Sequence, residues 1–268
     1  MLKFNKKTVL SVLWCYCVIS LYFASKFYIE GITHIYPSSE KSDISFIAEK
    51  DSLNDEDYAF ILNQTGLGKS AVNSLSSLSE LEEYQQIYYS PIDFICKRNS
   101  PVSSEEYVPK PLLKFADIED GDILITRSSH VFSWRNGHAA IVINAEEGRT
   151  VEAVVIGRNS SVQSLDKWEH YPNVTVLRLK NASSEERKSI AEAAENYLVG
   201  RPYNLIVGFL PRKYRSIEKQ GSTQCAHLVW LAYASAGYDI DSDKGLIVTP
   251  KDIYESELLE VVQTYGMG

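Results

Sequence analysis

Three residues far apart in the chain have types that together could perform acyl transfer: Cys225, His138 and Glu152. Cys225 follows Gly221, Ser222 and Thr223 and precedes the apolar run AHLVWLAYASA. A Gly-Ser-Thr stretch ahead of such a run predicts a helix N-terminus with a hydroxyl cap. The first turn of a helix carries free N–H groups and the positive end of the dipole, which stabilise a thiolate and could line an oxyanion hole. His138 begins the strand-like run HAAIVI, directly after Gly137. Glu152 sits in VEAVVI, a run otherwise suited to burial, where an ionised carboxylate is costly unless it is paired. The two runs are separated by the turn-like NAEEGR, so they can pair as neighbouring strands. Glu152 would then orient the His138 ring and offset its charge after it takes a proton.

Taken singly, each residue has an ordinary reading: an inert buried cysteine, a strand-edge histidine, an edge glutamate. Together they form a set of nucleophile, base and orienting carboxylate. Zinc could be held by the same three residues, but no CxxC or HxxxH spacing supports it, so no metal and no cofactor is expected. His227 lies two residues beyond Cys225 and on a helix points elsewhere. His34, His130 and His170 have no companion that marks them. Of the four cysteines, Cys15 and Cys17 fall in the N-terminal apolar stretch. That leaves Cys96 as the one possible bridging partner of Cys225, and a bridge would consume the nucleophile.

The elements that must position these residues are legible as patterns. Strands are expected at 120–126 (DGDILIT), 138–143, 150–156 and 174–179 (VTVLRL). Their closeness in the chain favours an antiparallel sheet. Ser183 to Val199 reads as a helix with a Ser183–Glu186 capping box, and Gln224 to Ala236 as another, closed by Gly237. Residues 51–90 predict two helices, the first stopped by TGLG and the second carrying Val72, Leu75, Leu78, Leu81 and Tyr84 at intervals of three. Residues 91–111, with four prolines, read as an ordered linker. The class is α+β: an antiparallel sheet packed on helices.

The chain has 268 residues, 44% hydrophobic and 23% charged, an ordinary globular composition. A net charge of −8 argues against nucleic acid as a partner. Lys3, Lys6 and Lys7 precede a charge-free run from Thr8 to Ala24 with no clean cleavage site after it. This reads as an uncleaved membrane anchor with the remainder exported, in preference to a cleaved signal that would leave the protein secreted. The expected organisation is an anchor over 1–27, a stalk over 28–50, a helical accessory segment over 51–111 and a catalytic domain over 112–268.

The runs GDILIT at 121–126, GHAAIVI at 137–143, VEAVV at 151–155, GRPYN at 200–204 and QCAHLVW at 224–230 resemble the NlpC-type papain-like cysteine hydrolases. Specifically, they resemble the circularly permuted YiiX/YebB-like branch, in which the order is His, Glu, Cys. The resemblance implies a permuted papain-like core over roughly 117–265, with Cys225, His138 and Glu152 as its triad. It also implies that Tyr203 lines the substrate site. His227 and Asn204 depart from the pattern, where Glu and Asp are usual.

Thiol-dependent cleavage of an amide or ester bond is the leading expectation, with cell-wall peptide as the natural substrate of an exported enzyme. A lipid-directed acyltransferase or thioesterase, acting on an acyl-lipid through the same triad, is the alternative. A catalytically silent binding module is the third.

Overall fold

The computed structural model describes residues 5–26, 34–100, 103–131, 134–209, 213 and 216–267. Lys3 of the expected basic leader, residues 27–33 at the junction of anchor and stalk, and Pro101 of the expected linker lie outside the described residues. In chain order the N-terminal part holds α1 (Lys6–Lys26), α2 (Ser45–Ala48), α3 (Asp55–Thr65), α4 (Lys69–Ser74) and α5 (Leu81–Tyr88). Strands β1 (Ile95–Ser100), β2 (Ser103–Tyr107), β3 (Ile123–Thr126), β4 (Ser129–Val131), β5 (Trp134–Arg135), β6 (His138–Asn144), β7 (Arg149–Glu152), β8 (Ser161–Ser164) and β9 (Val174–Leu179) follow. The chain continues with α6 (Ser184–Leu198), α7 (Cys225–Ser235), α8 (Pro250–Tyr254) and β10 (Leu259–Tyr265).

Six strands form the central antiparallel sheet in the order β10-β9-β3-β6-β7-β8. A smaller antiparallel sheet, β1-β2-β4-β5, is attached where the chain leaves β3 and returns to β6. The alternation of the central strands divides the apolar residues between two cores. Ile123, Ile125, Ala139, Ile141, Leu177 and Leu179 meet α6 and α7 on one face. Leu124, Ala140, Val142, Val174, Val176 and Val262 meet the N-terminal helices on the other. The class expected from the sequence, antiparallel sheets packed on helices, is the one observed.

The N-terminal layer is built into the sheet rather than hung from it. Gly66 ends α3 in a left-handed conformation (φ 73°), and Thr264 of β10 donates its N–H to the Gly66 carbonyl. A Cβ on Gly66 would lie 2.0 Å from the Thr264 carbonyl oxygen, so glycine is required by both dihedral and contact. The second expected helix is broken. Its interval of three is shorter than the 3.6-residue helical period, and the chain stops α4 at Leu75 and restarts through a Ser77–Glu80 capping box before α5. The Pro-rich segment contains the β1–β2 hairpin, which polar runs such as SSEEY conceal. Strand β7 ends at Glu152, short of the expected 156. The expected stalk is also corrected, because Ile44 and Ile47 are buried in the second core.

The membrane assignment is overturned. No helix among the described residues is long and apolar enough to cross a membrane. The charge-free run falls within α1, which carries Lys6 and Lys7 in its first turn and Lys26 at its end, so its uncharged stretch of about 17 residues is at the low end of what a bilayer needs. The single-pass anchor, the membrane as a partner and an exported catalytic domain held beside it are withdrawn together.

A chain beginning at residue 112 lacks the helices that cover much of the second face. It is expected to lose its cooperative thermal transition and to aggregate in size-exclusion chromatography. A monomeric fragment with a sharp melt would show instead that the N-terminal layer is dispensable.

Candidate active site

His138 is the first residue of β6, and Gly137 before it has φ 70°. Glu152 is the last residue of β7. Ile141 pairs with Val151 and Val142 with Thr150, so Ala140 lies opposite Glu152 and His138 is its diagonal neighbour on the same face. His138 Nε2 lies 2.6 Å from Glu152 Oε2. Both side chains are buried, Glu152 completely.

Four donors converge on this carboxylate. Oε2 accepts from His138 and, at 2.6 Å, from Lys167 Nζ. Oε1 accepts from Thr150 Oγ1 at 2.7 Å and from Trp168 Nε1 at 3.1 Å. Lys167 and Trp168 come from a short 3-10 turn, Leu165–His170, capped by the Ser164 side chain. The Trp168 ring stacks on the His138 ring at 5.6 Å between centroids, with 13° between planes. Burial alone would raise the Glu152 carboxyl, but the Lys167 charge and the contacts with His138 outweigh it and hold the group down at about 2.

Cys225 opens α7 and belongs to the core on the opposite face of the sheet. Its thiol meets His138 at the beginning of β6, where the sheet no longer separates the two faces. With Nε2 committed to Glu152, Nδ1 is the ring nitrogen left for the sulfur. Burial works to lower the His138 value, yet the hydrogen bonds to Cys225 and Glu152 and the carboxylate charge raise it to about 9. The imidazolium is therefore the form held at neutral pH.

The helix cap differs from expectation. The Gln224 side chain, not a hydroxyl, accepts from Ala226 N–H at 2.8 Å, and its Nε2 donates to the Val248 carbonyl. Ala226 N–H is thereby withdrawn from any oxyanion hole. The Cys225 thiol lies 3.4 Å from Gln224 Oε1. Thr223 Oγ1 instead meets His227 Nδ1 at 2.9 Å, while His227 Nε2 meets the Lys213 carbonyl at 2.7 Å. Burial pushes His227 down to about 4, so it is neutral and ties the first turn of α7 to the preceding loop.

Tyr203 forms a backbone bridge to Thr223. Burial at the hydroxyl end of the side chain, and the nearby Cys225, raise its phenol well above the usual range. The structure thus brings Cys225, His138, Glu152 and Tyr203 together. Cys96 is exposed on β1, and all four cysteines are free, so no bridge consumes Cys225. His34 and His170 each lie within hydrogen-bond distance of a backbone carbonyl, and His130 lies 3.1 Å from Glu106.

Sequence reasoning missed Lys167, Trp168 and Thr150. The only available signal for Lys167 and Trp168 was the pair itself, KW, between two strands. Among the described residues, Asp241, Asp243 and Asp252 form a cluster that could hold a cation, with carboxylate oxygens within 4.8 Å of one another. Lys213 already pairs with Asp241, and Asp252 caps α8 through Thr249.

No protein-family model matches the chain, and no curated protein matches it. Among solved structures, the chain is similar to the metalloprotein yiiX of Escherichia coli O157:H7, described as DUF1105. The identity is 17% and the TM-score 0.41, over 55% of this chain and 98% of that one.

Proposed function

We propose that this protein is a thiol-dependent hydrolase of amide or ester bonds, of the circularly permuted NlpC-type kind. One observation carries the reading: a thiol at a helix N-terminus contacts a histidine whose far nitrogen is held, 2.6 Å away, by a buried ionised carboxylate. Cys225 Sγ attacks the carbonyl carbon, and the electron pair moves to the carbonyl oxygen. As the tetrahedral species collapses, His138 gives its proton to the departing amine or alcohol and a thioester remains. His138 then takes a proton from water, whose oxygen attacks the thioester carbonyl, and the thiolate departs with the acid product. Glu152 stays ionised throughout and fixes the ring orientation. Tyr203, whose phenol is near Cys225, is assigned by this reading to the lining of the substrate site.

Acyl transfer to an acceptor other than water is the second reading. It is favoured by Ile206, Phe209 and Leu246, apolar side chains exposed on the loop that starts at Tyr203 and on the strip packed against Gly208. Cell-wall peptide remains the substrate class proposed for the hydrolase reading.

The test is chemical labelling of the intact chain. Iodoacetamide should modify Cys225 faster than the exposed Cys96 at mildly acidic pH, although Cys225 is only 4% exposed. His138→Ala should slow that labelling at least about tenfold. A Cys225 that stays unlabelled while Cys96 reacts, or one indifferent to His138, would leave the silent binding module as the better account.

A further inference from the structure

We infer that Lys167 is a positioning residue of the catalytic centre: by sharing Glu152 Oε2 with His138 it keeps the carboxylate ionised and loosens that carboxylate's hold on the imidazolium proton. The inference rests on the hydrolase reading and goes beyond its three-residue centre.

The geometry is specific. Lys167 Nζ and His138 Nε2 each lie 2.6 Å from one oxygen of a carboxylate with no solvent exposure. Thr150 and Trp168 occupy the other oxygen, so both ends of Glu152 are fixed by donors. Nothing else among the contacts of Glu152 brings a second positive charge. A buried carboxylate facing only an imidazole can quench that ring's charge by taking its proton, which gives a neutral pair and a base with no orienting anion. A permanent ammonium on the shared oxygen removes this escape, because it makes the protonated carboxyl unfavourable.

The same ammonium acts on His138 in the opposite sense. When the tetrahedral species collapses, His138 must release its proton to the leaving group. A carboxylate with one cation would grip that proton tightly, whereas a carboxylate shared with Lys167 grips it less. With the thiolate formed, the centre holds two negative and two positive groups and is neutral as a unit. The Lys167 side chain is 23% exposed, so its aliphatic stem runs in from the surface while its ammonium reaches Glu152.

The ionisable groups on the elements packed around the pair are few. Cys225 comes from α7, Glu152 from β7 and Lys167 from the 3-10 turn. Tyr171 follows that turn and feels Glu105 of β2 as well as Glu152 and Cys225. Tyr171 stays protonated, since burial raises it well above the usual range, so it does not titrate against the pair.

The experiment titrates the His138 ring by NMR in the full chain with labelled histidine, using His138→Ala to assign the signal. Lys167→Met keeps the aliphatic stem and removes the charge. Its His138 midpoint should rise by about one pH unit over the unsubstituted chain. Lys167→Arg should restore the original midpoint, which a loss of packing could not do. An unchanged midpoint in Lys167→Met, in a variant whose thermal unfolding is intact, overturns the inference. So does a midpoint that Lys167→Arg fails to restore. Iodoacetamide labelling of Cys225 in the same samples separates the two claims. If His138 moves as expected while Cys225 is inert, the hydrolase reading fails and the charge coupling stands. If Cys225 reacts and His138 does not move, only the role of Lys167 fails.

Discussion

Replacing Cys225 by serine should abolish hydrolysis of a p-nitrophenyl ester, a loss on the order of 10³-fold or more, while leaving thermal unfolding nearly unchanged. The two parts of this expectation come from different features. Among the described residues the sulfur is the nucleophile that meets His138, so on the hydrolase reading its loss leaves no substitute route. A serine hydroxyl close to His138 would still need a stronger base than an imidazolium held by Glu152 and raised to about 9. The stability part follows from size. The thiol makes one weak contact to Gln224 Oε1, 3.4 Å away, and a hydroxyl can make the same contact. Activity within tenfold of the unsubstituted protein would remove Cys225 from the chemistry. A large drop in melting temperature would mean that the loss reported on folding.

Glu152→Gln should cost on the order of 10²–10⁴ in turnover, by analogy with other residues that orient a catalytic imidazole. It should also change how stability depends on pH. Glu152 sits at about 2 in the fold against an ordinary 4.5, so its contribution is present above 4.5 and is lost as pH falls towards 2. His138 sits at about 9 against an ordinary 6.5, so its contribution is present below 6.5 and is lost as pH rises through 9. The two shifts overlap in the His138–Glu152 contact and are not added. Lys167 is the larger favourable partner of Glu152 and Cys225 that of His138, so the ~3 kcal/mol that either shift corresponds to belongs to the whole cluster. The unsubstituted protein should therefore be most stable between about pH 4.5 and 6.5 as far as this pair is concerned. In Glu152→Gln that window should flatten, and the melting temperature inside it should fall by about 10 °C. If the variant keeps the same pH profile of stability, the pair is not coupled to folding in the way its geometry requires.

The three-layer build bears on how the centre is kept dry. Trp168 and Tyr171 belong to the second core, which the N-terminal helices complete, and Trp168 stacks on His138. The segment over 34–111 thus supports the face of the sheet on which the histidine and the glutamate lie.

Much of this was legible in the residues themselves. VTVLRL is strand β9 from its first residue to its last, because a largely apolar run that opens with three β-branched residues suits a buried strand. The Ser183–Glu186 box marks the start of α6 because its two reciprocal hydrogen bonds are local. Cys225, His138 and Glu152 were identifiable because a thiol before an apolar helix, and a carboxylate inside an apolar strand, are each costly or conspicuous without a partner. Other features left little local trace. The β1–β2 hairpin is polar, so alternation does not reveal it. The anchor read from residues 8–24 is not matched by a described helix long and apolar enough to cross a membrane.

What the sequence by itself determined is therefore local: which runs are strands or helices, where α6 is capped, and which residue types could act as nucleophile, base and orienter. What only the tertiary structure decided is which of them meet, and against what. The bulge between Val142 and Asn144 sets the register that makes His138 and Glu152 diagonal neighbours, and an alternation of two cannot specify a register. The thiol reaches His138 from the opposite core, around the end of a strand, which no spacing encodes. Lys167 and Trp168 lie in a six-residue 3-10 turn too short to carry a periodic signal. Their convergence with Thr150 on one carboxylate is a product of packing, since the stabilisation of a buried charge depends on groups brought together in space rather than along the chain.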